Sequence, residues 1–584
     1  MVKVSDVICE FLIKNHIDTV FGIIGSANSH IFHSINKNSN IKLVSVHHEQ
    51  AAVMAMGAYY RATGKLAVAL VTAGAGSANA FTGILSNWAD SVPGIIISGQ
   101  EQSYHIKDYR GMRMYGVQGY DSVSTFSDYT KMSERITTTN VYEVFSNAFA
   151  ITQTNRPGPV FIEVPFDTQS KMVEEQDIIP FKHTHESNAQ SKSNAKSILQ
   201  DLSLYKRPII MGGHGVKLSG AEKLFKSFVE RYNIPTVLSW SAVDLLEEDH
   251  KSNYGRSGVQ GQRSANFIVQ NCDLMIVLGS RLSLLQTGYS RSDFAPNAKI
   301  IHVDIDKLET DKFTDYHTIN EDVHNLLVDL LSESVVGMDI KDWIGYCDNV
   351  REKFPRVMPE HLSDPTNSYT FIDTFSKKLS DNYTIVTDMG TALLSGFYGF
   401  NIKPNQKMFT SLGLGEMGYG IAAAVGAGFG TRPVMCLNCD GGMMMNLQEL
   451  QTIKTHNLPV KVVIFNNDGY LMIKNTQNML FKGERTCVDK STGVELPDYK
   501  KVAEAFDFAY FTNMDEFLAH EGQAFLEVFM DPNQEFVPKV KGMKMDDGSV
   551  KAGLLEEMSP LLPLESVEEY MVAGINERSK TITR

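Results

Sequence analysis

The chain has 584 residues, of which 43% are hydrophobic and 21% are charged, values close to the averages of globular proteins. This composition excludes a disordered chain and a fibrous repeat, and the length is enough for about three to four domains. The formal net charge of −14 argues against general binding to nucleic acids or to anionic membranes.

Alternating helix-like and strand-like segments run through most of the chain. Apolar residues recur at helical spacing from Val4 to Leu12, and a short apolar run then ends at Gly25. Similar strand-like runs lie at 41–46, 67–72, 94–98, 160–164, 208–211, 274–279, 300–304, 384–387, 433–437 and 460–465. Helical periodicity separates these runs, which is typical of parallel sheets with helices on both faces.

Polar segments without periodicity divide this pattern into three parts. The predicted domains are 1–170, 197–335 and 367–532, with linkers at 171–196 and 336–366 and a C-terminal tail at 533–584. The sequence therefore predicts an α/β protein of three consecutive doubly wound parallel-sheet domains. The few cysteines and the N-terminal segment, which is too polar for a signal peptide, favour a cytoplasmic protein that does not bind a membrane.

Two turns in the third domain carry residues suited to a metal-bound diphosphate. Asp440 follows one strand and Asn467 follows the next, 27 positions later, so both lie at the sheet edge where ligands bind. Their side chains, with a backbone carbonyl near Gly469, supply the oxygen ligands that Mg²⁺ prefers. Gly441 and Gly442 allow close backbone approach, and the helix that starts there directs N–H groups at an anion. Either turn alone is more often an ordinary helix cap or loop, but the pair is specific.

This segment resembles the signature of the thiamine-diphosphate (ThDP) enzymes, which is Gly-Asp-Gly followed after a set interval by Asn-Asn. The resemblance implies ThDP and Mg²⁺ as cofactors, with Asp440, Asn467 and Gly469 as metal ligands. One position departs from the pattern, because Cys439 replaces the leading glycine. Motifs in the family's order cover about residues 1–540, and the likeness is greatest to the acetohydroxyacid (acetolactate) synthase branch and its relatives in sugar and lipopolysaccharide pathways. It implies pyrimidine-binding, central and diphosphate-binding domains in that order.

Glu49 lies where a strand leads into a helix rich in small residues. A glutamate at such a position is most often a helix-start residue favoured by the helix dipole. The resemblance reverses this interpretation, because the glutamate of the family's matching His-Glu-Gln motif hydrogen-bonds N1′ of the aminopyrimidine and promotes removal of the proton from C2 of the thiazolium. This chemistry needs a carboxyl that shares a proton near neutral pH. Glu49 is therefore expected to be catalytic.

The glycine-rich loop at 410–430 resembles the family's Gly-Leu-Gly-x-Met-Gly motif. In the family, a carbonyl at the position of Gly415 accepts from the 4′-amino group, and an apolar side chain at the position of Met417 holds the cofactor in its bent shape. A methionine without such a context is more often core filling. Gly25 and Ser26 are further expected cofactor contacts.

The segment 72–80 matches another family loop and favours carboligation, the joining of two carbonyl compounds. Decarboxylases of the family carry a His-His pair shortly after this loop, where the chain has Asn79, Ala80 and Phe81. The resemblance therefore implies that a 2-oxo acid such as pyruvate loses CO₂ and that its two-carbon unit is transferred to a second carbonyl. Gln118 matches a glutamine of the synthase branch and is expected to be catalytic.

The acceptor is open between two classes. The interval between Gln100 and Gln118 is longer than in the synthase branch, and it contains Arg110 and Arg113. Charged loops are usually only solvated, but two arginines can bind a nucleotide-linked keto-sugar through bidentate donors. A keto-sugar is the preferred acceptor. Formation of 2-acetolactate from two pyruvates is the alternative, and a catalytically degenerate binding subunit, suggested by Cys439, is the third interpretation.

The middle domain and the division of the site between domains lead to two further expectations. The strings at 279–282 and 302–306 resemble the FAD-binding region of the branch, with Arg281 as the contact, but flavin-free relatives carry similar strings, so FAD stays open. Glu49 and Asp440 lie on different domains, and the family places them on partner subunits at one cofactor. We therefore expect a homodimer or homotetramer with active sites at the subunit interface.

Overall fold

Three six-stranded parallel sheets form the framework of the described chain. The computed structural model describes residues 1–106, 112–182, 184–185, 187–362 and 367–584. The first compact unit consists of Met1–Thr184, Asn382–Leu393 and Lys407–Pro532, and the second of His185–Asp381, Leu394–Gln406 and Asn533–Arg584. The first unit holds two sheets and the second holds one. This confirms the predicted α/β fold class with three doubly wound parallel sheets.

The N-terminal sheet of the first unit contains all the strands predicted for the first domain. Its strands, in order across the sheet, are Lys42–Ser45, Thr19–Gly22, Val68–Val71, Gly94–Gln100, Pro159–Pro165 and Ser133–Arg135. Its helices are Val4–Lys14, Ser29–Asn36, Glu49–Thr63, Ala75–Asn79, Phe81–Ala89, Ser103–Ile106, Ser122–Phe126, Val141–Ile151 and Phe166–Ser170. The unpredicted strand Ser133–Arg135 is short, polar and at the sheet edge, so it carries no apolar run.

The second sheet of the first unit repeats the strand order of the N-terminal sheet. Its strands, in order across the sheet, are Lys407–Phe409, Thr384–Thr387, Val434–Cys439, Val460–Asn466, Ala524–Phe529 and Ala509–Phe511. The helices of this part are Tyr419–Gly428, Asp440–Met443, Glu449–Thr455, Leu471–Phe481, Tyr499–Ala505 and Met514–Ala519. The helix Thr391–Gly399 has its first three residues in the first unit and the others in the second. The strand Thr384–Thr387 lies between its successor in the chain and the strand Val434–Cys439, which makes a topological switch point.

The second unit has the strand order of dinucleotide-binding sheets. Its strands, in order across the sheet, are Asn253–Arg256, Thr236–Leu238, Pro208–Gly212, Leu274–Leu278, Lys299–Asp304 and His317–Asn320. Its helices are Ala189–Leu204, His214–Leu218, Glu222–Tyr232, Arg263–Asn271, Leu284–Thr287, Lys307–Asp311, Val323–Ser332, Lys341–Lys353, Pro359–Leu362, Ser368–Lys378 and Leu564–Tyr570. Throughout the described ranges, no helix has both the length and the apolar character needed to cross a membrane.

The predicted second linker and the tail contain more structure than their sequences indicate. The helix Lys341–Lys353 lies within the segment 336–366 and buries Trp343 and Cys347 on one side. The tail forms the helix Leu564–Tyr570 and two short antiparallel strand pairs. Both segments are polar on average, and only their few apolar side chains pack into the core of the second unit.

One helix pair joins the two sheets of the first unit into a single apolar core. The helices Glu49–Thr63 and Tyr419–Gly428 consist largely of alanine, glycine and other small residues. A Cβ atom added to Gly426 would lie 2.0 Å from the carbonyl oxygen of Ala55, so the two backbones are in direct contact. The segments before these helices, which carry the predicted cofactor motifs, are therefore held on one rigid core.

We expect Gly426→Ala to destabilise the first unit by about 1–3 kcal/mol, because the added methyl group forces the two helices apart. Gly345 is the matched control, since it is exposed in a helix and a Cβ there meets no atom within 4 Å. Gly345→Ala should stabilise the protein by about 0.5–1 kcal/mol through helix propensity. Urea unfolding of both variants measures the change in the free energy of unfolding. Equal changes in the two variants would contradict a close backbone contact at Gly426.

Candidate active site

The turn residues predicted to bind a metal-bound diphosphate lie at the switch point of the second sheet of the first unit. Asp440 follows the strand Val434–Cys439, and Asn467 follows the neighbouring strand Val460–Asn466. Asp388 follows the strand on the other side, Thr384–Thr387. Crossover connections leave these strands in opposite directions, which opens a crevice at their carboxyl ends.

The carboxylate of Asp440 joins the two turns directly. Its Oδ2 accepts the backbone N–H groups of Asn467 and Gly469, each at 3.0 Å, and its Oδ1 accepts the N–H of Gly441 at 2.7 Å. The side chain is only 1% exposed. Burial raises the pKa of Asp440 to about 6, although the three N–H groups favour the ionised form. A cation at this position would stabilise the carboxylate further.

The donor set at these turns fits Mg²⁺. The Asn467 side chain is buried and donates its Nδ2 to Thr391 Oγ1 at 2.7 Å, which leaves its carbonyl oxygen as the ligand end. Within the described ranges, no group of three or more His, Cys, Asp and Glu side chains could hold a metal ion. One carboxylate, one carboxamide and a backbone carbonyl are hard ligands that suit a cation sharing its remaining positions with phosphate and water.

Two residues that sequence analysis missed hold the two turns, Lys474 at the turn after Asn467 and Tyr499 at the turn that begins at Asp440. The buried Lys474 donates its Nζ to the carbonyl oxygens of Asn467 and Asp468, at 3.3 and 2.6 Å. The hydroxyl of Tyr499 donates to the backbone carbonyl of Asp440. No motif marks either residue, because each lies on a later helix and contacts its turn only in the folded chain.

A buried carboxylate also anchors the glycine-rich loop. Asp388 is fully buried, and its side chain accepts the N–H groups of Gly418 and Gly420 at 2.9 and 3.5 Å. Gly415 and Gly418 have φ angles of +76° and +86°, which other residues rarely adopt. Burial raises the pKa of Asp388 to about 7. The sequence signal for Asp388 is its position directly after a predicted strand, as for Asp440.

Met417 lies beside the turn that begins at Asp440. Its Cε is 3.6 Å from the position of a Cβ built on Gly441. A Cβ on Gly442 would lie 1.9 Å from Asp388 Oδ2, so both glycines of the turn are required by close approach. The structure therefore brings the glycine-rich loop and the turns at Asp440 to one crevice.

Cys439 fits into this crevice without displacing the turn. Its Sγ accepts the backbone N–H of Ala392 at 3.2 Å, and Gly390 leaves room for it, since a Cβ there would lie 3.1 Å away. Cys436 lies three residues before it along the same strand, and both are free. Burial raises the pKa of both thiols well above the ordinary value.

Glu49 begins the helix Glu49–Thr63 at the edge of the N-terminal sheet. The side chain is 8% exposed, and its Oε2 accepts from Asn79 Nδ2 at 3.0 Å. Its Oε1 lies 3.2 Å from the position of a Cβ built on Gly76. Glu49 therefore contacts the segment 72–80.

Gln118 and residues of the segment 72–80 line a pocket of about 290 Å³. The pocket is lined by Gly74, Ala75, Ala78, Met114, Val117, Gln118 and Tyr120. The Oε1 of Glu101 accepts the backbone N–H groups of Val117 and Gln118 at 3.2 and 3.0 Å and so fixes this segment. Arg113 is exposed, and Arg110 lies outside the described residues.

The remaining predicted contacts lie at two other strand ends. Gly25 follows the strand Thr19–Gly22. A Cβ on Gly25 would lie 2.5 Å from Thr72 Oγ1, so Gly25 contacts the segment 72–80. Ser26 is exposed. Arg281 belongs to the second unit and is exposed after the strand Leu274–Leu278.

The turn that precedes Arg281 lies at the switch point of the second unit's sheet. The N–H of Gly215 donates to the carbonyl oxygen of Gly279 at 2.8 Å. A Cβ on Gly213 would lie 2.2 Å from the same oxygen. The two glycine-rich turns after the adjacent strands Pro208–Gly212 and Leu274–Leu278 are therefore in backbone contact.

We expect Asp388→Asn to flatten the pH dependence of thermal stability. The folded pKa of Asp388, about 7, lies above its ordinary value of 3.8, so its contribution to stability is lost as the pH rises through about 4 to 7. The wild-type melting temperature should fall more between pH 5 and pH 8 than that of the variant. Asp128→Asn is the control, since Asp128 is exposed, and an unchanged slope in Asp388→Asn would contradict the raised pKa.

Family models and relatives agree on one family of enzymes. The models match at residues 2–124 (thiamine pyrophosphate enzyme, N-terminal TPP binding domain), 195–330 (central domain) and 388–534 (C-terminal TPP binding domain). The acetolactate synthase isozyme 1 large subunit of Escherichia coli K12 is 29% identical over 556 residues, covering 92% of this chain and 95% of the relative.

Two further relatives show slightly higher identity. The acetolactate synthase large subunit of Lactococcus lactis subsp. lactis is 30% identical over 515 residues, covering 86% of each chain. The probable acetolactate synthase large subunit of Methanocaldococcus jannaschii is 32% identical over 526 residues, also covering 86% of each.

Proposed function

Because the chain belongs to the thiamine pyrophosphate enzymes, in the branch that resembles the acetolactate synthases, we propose that it joins two molecules of pyruvate to 2-acetolactate with loss of one CO₂. It is an enzyme of the carboligase type, and its cofactor is ThDP. The observation that carries the proposal is the Asp440 carboxylate, which joins the two turns of the diphosphate signature. The names of the relatives support pyruvate as the acceptor.

Each cofactor contact has a proposed role. Bound ThDP would supply a cationic thiazolium that acts as the electron sink for decarboxylation of a 2-oxo acid. Asp440, Asn467 and the carbonyl of Gly469 hold Mg²⁺, and through it the diphosphate. The backbone N–H groups at Gly441 and Gly442 bind the diphosphate, and both positions need glycine because a Cβ there would meet Tyr470 and Asp388.

The residues around the organic part of the cofactor orient it and handle its protons. Glu49 hydrogen-bonds N1′ of the pyrimidine, with Asn79 fixing its carboxylate. The Gly415 carbonyl and the Met417 side chain hold the cofactor in its bent shape, and Gly25 with Ser26 contacts its pyrimidine end. Gln118 contacts the substrates in the pocket beside the loop 72–80.

The acceptor proposal replaces the keto-sugar preferred from the sequence. The names of the relatives give no support for a sugar acceptor. Arg113, one of the two arginines in the keto-sugar argument, is exposed. A keto-sugar stays a prediction that the product experiment below tests.

The domain assignments, FAD and the assembly are further proposals. We assign residues 1–170 to pyrimidine binding, 197–335 to the central domain and 367–532 to diphosphate binding. The glycine-rich turns at the switch point of the central sheet support FAD binding, with Arg281 as a contact, and flavin absorbance of the purified protein tests it. A cytoplasmic location stays a prediction.

We expect the purified enzyme with ThDP and Mg²⁺ to release CO₂ from pyruvate alone and to form 2-acetolactate. Mass spectrometry of the products identifies the acceptor when pyruvate is supplied with and without a panel of aldehydes, ketones and keto-sugars. A product formed only with a keto-sugar would show that the acceptor is a keto-sugar and not pyruvate. No release of CO₂ from any 2-oxo acid would contradict the proposed carboligase activity.

Two matched variants accompany this assay. Asp440→Asn should weaken Mg²⁺ binding by about 100-fold or more and remove the rise in melting temperature that ThDP with Mg²⁺ produces. Asp468→Asn makes the same chemical change at an exposed position of the neighbouring turn and should leave that rise intact. A degenerate subunit would give no rise even in the wild type.

We propose a homodimer, or a homotetramer built from it, in which each active site takes Glu49 from one chain and Asp440 from the partner chain. Glu49→Gln and Asp440→Asn should each be inactive alone. Mixed after dissociation, they should regain roughly a quarter of wild-type activity, because half the dimers are hybrids and each hybrid has one site without a defect. No recovery despite proven subunit exchange would place both residues of a site on one chain.

A further inference from the structure

The segment that follows the diphosphate turn contacts the chain on both sides of Glu49. The Oε1 of Glu449 accepts the backbone N–H of His47 at 2.9 Å. The Oδ1 of Asn446 accepts from the Nε2 of Gln50 at 3.1 Å. His47 lies two residues before Glu49, and Gln50 lies one residue after it. The two hydrogen bonds therefore fix the chain on both sides of Glu49.

Both contacting side chains are fully buried, and both are held in place on their other side. Glu449 and Asn446 are each 0% exposed. The Oε2 of Glu449 accepts from Thr452 Oγ1 at 2.7 Å, which fixes the carboxylate to its own helix. Burial raises the pKa of Glu449, and its hydrogen bonds favour the ionised form. Such buried and satisfied polar groups fix one geometry.

Asn446 also reaches the glycine-rich loop. Its Nδ2 donates to the carbonyl oxygen of Gly418 at 2.8 Å, one residue after Met417. A Cβ on Gly418 would lie 2.4 Å from the Cβ of Met445, so the loop and this segment are in close contact. One side chain therefore bonds both the glycine-rich loop and the segment of Glu49.

The proposed mechanism gives neither side chain a role, because neither is among the groups that bind or act on the cofactor. Asn79 fixes the Glu49 carboxylate from within the N-terminal domain. The backbone that carries Glu49 is instead fixed from the diphosphate-binding domain, by a segment six to nine positions after Asp440. The geometry at the pyrimidine thus depends on the segment that follows the diphosphate turn.

We propose that Asn446 and Glu449 are positioning residues that set where the Glu49 carboxylate lies for proton transfer. The inference rests on the proposed function and deepens it. They act through Glu49 and not through cofactor affinity, since a small displacement of an acid–base group slows its reaction far more than it weakens binding.

The test measures exchange of the C2 proton of bound ThDP for deuterium in the Mg²⁺-loaded holoenzyme. Glu449→Ala should slow this exchange by about 10-fold or more, with ThDP affinity changed by less than about threefold. Glu449→Gln should restore most of the rate, because its carbonyl oxygen accepts the same N–H group. Asn446→Ala tests the second contact, and Gln451→Ala, exposed on the same helix, is the control.

Combination with Glu49→Gln separates positioning from general destabilisation. If Glu449 acts through Glu49, Glu449→Ala should slow exchange little further in the Glu49→Gln background. A full additional loss there would overturn the proposal, as would normal exchange in both Glu449→Ala and Asn446→Ala. Failure of the wild type to bind ThDP or exchange its C2 proton would instead contradict the proposed function itself.

Discussion

A single buried carboxylate joins the two turns to which we assign the diphosphate. Asp440 accepts three backbone N–H groups from two separate turns, and those turns meet only because parallel strands end at the same edge. The protein therefore sets the arrangement of the proposed ligand groups through its own backbone hydrogen bonds. Burial raises the pKa of this carboxylate to about 6. A cation bound beside it would stabilise the ionised form.

The sequence predicted those features that depend on short-range pattern. Buried parallel strands are apolar on both faces, so the strands at 384–387 and 460–465 were found within a residue of their observed ends. The edge strand Ser133–Arg135 and the helix Lys341–Lys353 were missed, because only a few of their side chains enter a core. The motif residues Asp440 and Asn467 could be predicted because each follows a strand, and parallel strands end at the same edge of the sheet.

The residues that hold the site from a distance could not be predicted in this way. Lys474 and Tyr499 reach the turns from later helices, and Glu449 meets a main-chain group 402 positions away. Nothing local distinguishes these side chains from ordinary helix residues. Asp388 is the intermediate case, since its position after a strand is a signal but its bonds to the glycine-rich loop depend on the fold. The preference for a sugar acceptor came from loop charge, which is a weak guide to what a pocket binds.

The buried thiol of Cys439 has a consequence for chemical probing of this enzyme. Its sulfur accepts a backbone N–H beside the diphosphate turn, and burial keeps it protonated. Alkylating reagents attack accessible thiolates. Cys439 is therefore protected from them as long as it stays buried beside the turn that begins at Asp440. Cys487 is exposed and offers the accessible thiol. The rate at which Cys439 reacts would thus report local opening of the crevice, and occupancy by the cofactor would slow it.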